Sequence, residues 1–199
     1  MKTVDVAHAD VEKARKAAVS AQGAYLSSLV EEWRAMAQEK VRALVVEKQP
    51  QVTQAMGTKV SEFRHQLSAV IDDGADQVAE LFSKASDPDQ LARQVRRTYN
   101  SRRVAPSLGG YKGPIELLTQ PLHDLLQAHG YSPDLIKSGA AAASYSSFGF
   151  TASDFPLPSL GVREAYADAI EPYGHALLDL ADAEHAEASS QVAGIWDNS

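Results

Sequence analysis

Six basic side chains between residues 90 and 115 have the types and spacing that most directly suggest chemistry. No acidic residue interrupts this stretch. The six are Arg93, Arg96, Arg97, Arg102, Arg103 and Lys112. Arginine binds phosphate and carboxylate groups well, because its planar guanidinium can donate two parallel hydrogen bonds. The stretch therefore predicts a surface that binds a polyanion, such as nucleic acid, or an acidic protein surface.

The C-terminal segment carries the opposite charge. Residues 162–199 hold one basic side chain and eight acidic ones, within a chain whose net charge is −7. The overall charge argues against nucleic acid, whereas the segregation of charge favours docking of the arginine-rich segment on an acidic helix. An acidic helix of the same chain or of a neighbour is the first partner that we expect. Nucleic acid is the second.

Two tetrapeptides have the spacing of metal ligands. Glu62 and His65 match the Glu-x-x-His spacing of di-iron helix bundles, and Asp182 and His185 form a carboxylate variant of it. Over these two tetrapeptides the chain is similar to the ferritin-like family. Phe63, however, belongs to the packed face of its helix. At 100° per residue, His65 lies about 200° from Phe63 around the helix axis, and so on the other side of the helix. Both pairs are therefore interpreted as surface pairs, and we expect no metal and no other cofactor.

Other catalytic arrangements are not evident in the sequence. The chain has no cysteine, which excludes thiolate chemistry and disulfides. No serine lies in a Gly-x-Ser-x-Gly elbow, and the glycines at 109–113 lack the Gly-Lys-Ser/Thr ending of a P-loop. His129 precedes Gly130, so we expect it to complement the C-terminus of a helix. A non-enzymatic protein is predicted.

Residues 1–86 predict a long antiparallel helical hairpin, similar to a coiled coil, with its turn at Gln49-Pro50-Gln51. Apolar residues recur at steps of three and four, which keeps one seam on a partner helix. The first arm has Val4, Ala7, Val11, Ala14, Ala18, Ala21, Tyr25, Leu29, Trp33 and Met36. The second arm has Met56, Val60, Phe63, Leu67, Val70, Val78 and Leu81. We expect the alanine seam to accept these larger side chains, and the second arm to continue through Gly74.

Residues 87–199 form the second predicted domain, with one continuous domain as the alternative. Its first helix has a clear start, because Asp87 can cap it, Pro88 suits the first helical position and Gln90 completes a capping box. Shorter helices at 115–129 and 132–143 and an irregular loop at 144–161 follow. The last helix is expected over 162–196, and Pro172 should kink it or split it. The apolar residues expected on one side of it are Tyr166, Ile170, Tyr173, Leu177, Leu180, Val192 and Ile195.

These patterns predict an all-α, non-enzymatic structural, scaffolding or adaptor protein that acts through helix–helix assembly. We expect an oligomer, formed by self-association or with a helical protein partner. A polyanion-binding module that uses residues 93–112 is the alternative. No apolar run reaches the roughly 18 residues of a membrane span, and the first residues lack the apolar core of a signal peptide. A cytoplasmic protein without membrane contact is therefore expected.

Overall fold

In the computed structural model, every regular element of the described residues is an α-helix. The structure describes residues 2–47, 59–97, 121–122, 124–125, 127–129 and 157–197, with residues 43–47, 60, 96–97 and 194–197 described by their backbone alone. The long elements are α1 (Val4–Glu47), α2 (Val60–Ala85), α3 (Pro88–Arg97) and α4 (Leu160–Asp197). Residues 121–122, 124–125 and 127–128 are also helical. The all-α prediction is confirmed over these ranges.

Among the described residues, no helix is both long enough and apolar enough to span a bilayer.

The chain forms two compact units. The terminal unit contains Met1–Leu26, Ser83–Ser107 and Ser159–Ser199, and the central unit contains Ser27–Phe82 and Leu108–Pro158. Helices α1 and α2 each contribute residues to both units. The predicted domain boundary between residues 86 and 87 remains a prediction.

In the terminal unit, the N-terminal part of α1 lies antiparallel to α4. Lys2 Nζ is 2.8 Å from Asp179 Oδ2 near the start of α1, and the rings of Tyr25 and Tyr166 are 5.3 Å apart further along it. The buried apolar side chains of this unit are Ala7, Val11, Ala18, Tyr25, Leu91, Ala92, Tyr166, Ile170, Tyr173, Ala176 and Ala183. The alanine-rich seam therefore belongs to a core shared with α3 and α4. The expected partner, the body of the second arm, lies in the central unit.

In the central unit, α1 packs on α2 where Trp33 meets Gly74. The Trp33 side chain is fully buried, and a Cβ added at Gly74 would overlap its Cη2 and lie 2.9 Å from its Cζ2. Arg34 Nε is 3.3 Å from Asp72 Oδ1 beside this contact. Helix α2 continues through Gly74, as expected. The glycine makes room for the indole, a role that the sequence analysis did not assign.

The second seam is partly confirmed. Phe63 and Val78 are buried as expected, but Leu81 is 42% exposed and Phe82 is buried in its place. Phe82 follows Val78 by four residues, which keeps it on the face of Val78, whereas Leu81 falls on the other flank of that face. The turn at 49–51 and Met56 lie outside the described residues. The antiparallel hairpin therefore remains a prediction.

His129 contacts α2 in the central unit. Its Nε2 lies 2.7 Å from Gln66 Oε1, and its ring meets Phe63 edge-on with ring centres 5.4 Å apart. The backbone N–H of His129 donates to the Leu125 carbonyl over 3.2 Å, at the end of the helical residues. His129 thus lies at a helix end as expected, but its side chain serves the packing against α2.

Helix α4 runs unbroken from Leu160 to Asp197 and includes Pro172. The prediction that Pro172 divides the helix is therefore wrong, and a local kink remains a prediction. Pro172 is exposed, so its ring occupies the solvent side of the helix. The predicted loop at 144–161 and the helix at 132–143 fall mostly or wholly outside the described residues.

Candidate functional site

The arginine-rich segment begins with α3, whose start has the predicted cap. The backbone N–H of Asp89 donates to Oδ1 of Asp87 over 3.0 Å, and the N–H of Leu91 donates to the carbonyl of Asp87 over the same distance. Pro88 is the first helical residue, where its missing N–H costs nothing. The predicted start of this helix is confirmed. It could be predicted because a cap depends on residues that are neighbours in the sequence.

The residue before the cap is fully buried. The carbonyl of Ser86 accepts hydrogen bonds from Gln22 Nε2, at 2.9 Å, and from the hydroxyl of Tyr166. Burial is the main cause that raises the pKa of Tyr166 above its ordinary value, and the negative charge of Asp87 adds to it. Tyr166 therefore stays a neutral donor, and it fixes the α2–α3 junction between α1 and α4.

Asp89 joins three helices one turn further on. Nε of Arg15 donates to its Oδ1 over 3.1 Å and Nη2 to its Oδ2 over 3.3 Å, while the Tyr173 hydroxyl donates to Oδ1 over 2.7 Å. The bonds from Arg15 and then from Tyr173 hold the pKa of the Asp89 carboxyl below its usual value. Burial, followed by the bond to Asp89, raises the pKa of Tyr173 to about 12. At neutral pH Asp89 is thus a carboxylate, and Tyr166 and Tyr173 are neutral.

The apolar side of α3 lies directly on α4. A Cβ added at Gly174 would lie 2.5 Å from Cβ of Val95 and 3.0 Å from the carbonyl oxygen of Ala92. Leu91 and Ala92 are buried in the same contact layer. The absence of a side chain at Gly174 therefore allows the two helix backbones to approach closely. The basic helix is packed on the acidic helix of its own chain.

The structure places three of the six predicted site residues on α3. Arg93 is exposed, and Arg96 and Arg97 belong to the same helix, where they are described by their backbone alone. Arg102, Arg103 and Lys112 lie outside the described residues. Asp89, one turn before Arg93, already holds Arg15 and Tyr173. The predicted surface therefore begins on the solvent side of α3.

The two tetrapeptides with metal-ligand spacing lie on helix surfaces. Glu62, His65, Asp182 and His185 are all exposed, and Phe63 is buried between the first two, as the helical spacing predicted. Within the described residues, no group of three or more carboxylates and histidines is placed to hold a metal ion. Surface pairs remain the better interpretation of both motifs.

The C-terminal end of α4 extends beyond its own core. Ala183 is its last buried side chain, and of residues 184–193 only Ala186 is half-buried while the others are exposed. Val192, which the sequence placed on the same side of the helix as Ile170, is 55% exposed. Periodicity identifies the face of a helix but not where the helix that packs on it ends. Residues 184–193 are called the α4 extension below.

The apolar face of α4 nevertheless continues along the extension. Ala188 follows the buried Ile170 by about five turns of 3.6 residues, so the two lie on one line along the helix. Val192 is about 40° from that line, and Ser190 lies on the opposite side. The face that is buried at Ile170 is therefore exposed at Ala188 and Val192.

The Arg15–Asp89–Tyr173 junction was not predicted from the sequence. Only the position of Tyr173 on the apolar side of α4 was a usable signal. Searches of protein-family models, of curated proteins and of solved structures found no match to this chain.

Proposed function

We propose that this protein is a non-enzymatic scaffolding or adaptor subunit that works by helix–helix assembly. The α4 extension is the observation that supports the proposal. It is helical throughout, its apolar side is exposed, and its side chains are not covered by the core of the terminal unit. The cytoplasmic location and the oligomeric state expected from the sequence belong to the same proposal.

The energetic argument concerns the length of the extension. The extension continues a helix of 38 residues, so it does not bear the cost of nucleation, but most helical stability in proteins comes from packing of an apolar face. The extension keeps the helical conformation with its Ala188 and Val192 face in solvent. A partner helix on that face would supply the missing packing. This favours an assembling protein over a chain that acts alone.

The chemistry of the α2–α3 junction supports the same class of function. General acid–base catalysis near neutral pH needs a group whose pKa lies near the working pH. In this junction Asp89 titrates below its usual range, whereas Tyr173 and Tyr166 titrate above theirs. The hydrogen bonds join helices and leave Asp89 saturated. The junction is therefore suited to positioning α3.

The test is the mass of the full chain in solution. Size-exclusion chromatography with multi-angle light scattering should give a mass above that of one chain, and the mass should rise with protein concentration. Sedimentation velocity should show the same dependence. A monodisperse single chain at every concentration, in both low and high salt, would refute assembly by self-association. Such a monomer would also have to bind a helical partner for the wider proposal to stand.

Polyanion binding through the arginine-rich segment is the second candidate. Its support is that α3 packs on α4 through Ala92 and Val95 while Arg93 is exposed. It predicts retention on heparin at low salt and a steep loss of affinity as salt rises, because counterions are released on binding. Replacing Arg96, Arg97, Arg102 and Arg103 should abolish the retention. No retention of the wild type at low salt would rule this candidate out.

A further inference from the structure

The α4 extension and the exposed side of α3 have complementary charge on one and the same unit. Glu184 and Glu187 are exposed on the extension beside the Ala188 and Val192 face. Arg93 is exposed on α3, and the stretch that follows it is basic in sequence. The extension is therefore negatively charged and the α3 surface positively charged, so the two surfaces attract each other.

Within one chain, Arg93 and the extension are separated along α4. Ala92 and Val95, which flank Arg93, pack at Gly174, whereas the extension begins at residue 184. Ten residues of helix span about 15 Å. This separation exceeds the screening length of about 8 Å at physiological ionic strength. Arg93 therefore does not pair with the extension of its own chain. Its charge acts on Asp89, which already accepts hydrogen bonds from Arg15 and Tyr173.

Pairing of two extensions with each other is disfavoured by charge. Such a contact would bring Glu184 and Glu187 of one molecule against those of the second, and like charges on packed helices destabilise the contact. A contact between an extension and an α3 surface joins opposite charges. It also covers the apolar side of the extension, which an ion pair alone would leave exposed.

We propose that the α4 extension of one molecule docks on the arginine-bearing side of α3 in a second copy of this chain. The inference rests on the proposed assembly function and specifies its partner and polarity. The contact is head-to-tail: each molecule binds one neighbour through its α4 extension and another neighbour through its α3 surface. Such contacts form closed rings if the rotation between copies closes, and open chains if it does not.

Two single variants test the two surfaces, each with a matched control. Val192→Gln places an uncharged polar group on the apolar side of the extension, and Ser190→Gln places the same group on its opposite side. Arg93→Glu reverses the charge of the α3 surface, and Lys16→Glu reverses an exposed charge on α1 of the same unit. All four positions are exposed, so each variant should keep the circular dichroism spectrum of the wild type.

Sedimentation velocity should show that Val192→Gln and Arg93→Glu each reduce the protein to single chains. Ser190→Gln and Lys16→Glu should associate like the wild type, and the wild-type association should weaken as salt rises. An equimolar mixture of Val192→Gln and Arg93→Glu should form one-to-one dimers that do not grow further. The dimer forms because the first variant keeps an intact α3 surface and the second keeps an intact extension.

The outcomes separate the inference from the proposed function. If Arg93→Glu associates like the wild type, the extension does not dock on this side of α3, and the inference fails while assembly stands. If both variants are single chains and their mixture does not dimerise, the contact is not head-to-tail and the inference also fails. A wild type that is a single chain under all conditions overturns the inference together with self-association.

Discussion

Replacement of Gly74 by alanine should destabilise the protein, although alanine is the better helix former. In an exposed helix interior, Gly→Ala stabilises by about 1 kcal/mol. At Gly74 the added methyl group would overlap Trp33, which is fully buried and has no open space to enter. Overpacking of a well-packed core costs roughly 1–3 kcal/mol. Because the overlap involves a rigid ring, we expect a net loss of about 1–2 kcal/mol.

Gly23 provides the matched control. It lies inside α1, it is exposed, and a Cβ added there would meet no atom within 4 Å. Gly23→Ala should therefore stabilise by about 1 kcal/mol. Urea denaturation followed by far-UV circular dichroism measures both variants, since this signal does not depend on tryptophan. We expect the two variants to shift the denaturation midpoint in opposite directions.

A double-mutant cycle with Trp33→Phe identifies the cause. Phenylalanine lacks the ring atoms Cζ2 and Cη2 that the new methyl group would meet. Trp33→Phe also removes the buried indole Nε1–H, for which no hydrogen-bond partner is found among the described residues. In that background Gly74→Ala should be neutral or stabilising, which gives a coupling energy of about 1–3 kcal/mol. An equal effect of Gly74→Ala in both backgrounds would refute the packing argument.

Two further predictions concern the terminal unit. Gly174→Ala should destabilise by about 1–2 kcal/mol in the same assay, because its Cβ would lie 2.5 Å from Val95 Cβ, with Gly161→Ala as a control whose Cβ meets no atom within 4 Å. Stabilisation by Gly174→Ala would show that α3 does not lie against α4 there. Asp89→Asn should cost about 1 kcal/mol at neutral pH, because it replaces the carboxylate that accepts from Arg15 and Tyr173. The pKa of Asp89 is lowered in the folded state, so its contribution is present above the unfolded value of about 3.9 and is lost as pH falls through the folded value. Denaturation at several pH values should therefore show the difference from wild type disappearing in acid, and a difference that persists there would contradict a charge-based role for Asp89.

The features that sequence predicted well depend on neighbouring residues. The cap of Asp87 and the position of Pro88 are set within a few residues, and both are found in the structure. Helical periodicity likewise identified the buried faces around Phe63 and Tyr166. In each case the physical cause acts over one or two turns of helix, so the signal is contained in a short stretch of sequence.

The features that sequence missed depend on residues far apart in the chain. Arg15 and Asp89 are joined only because α1 and α3 are adjacent in the terminal unit. The room that Trp33 needs at Gly74 similarly requires knowledge of which helices meet. The exposure of Val192 is a third case, because the apolar face continues in sequence after its packing partner has ended. Periodicity carries no information about any of these long-range relationships.

The anchoring of α3 connects the fold to the proposed assembly. A helix of 10 residues would be marginal in water by itself, so its conformation depends on its surroundings. The Asp87 cap, the Asp89 junction and the close approach at Gly174 all act on this one helix. Together they fix the helix that carries Arg93, which lowers the conformational entropy that a contact at Arg93 would lose on binding. In the proposed assembly, the polar junction would position the charged surface without contacting the partner.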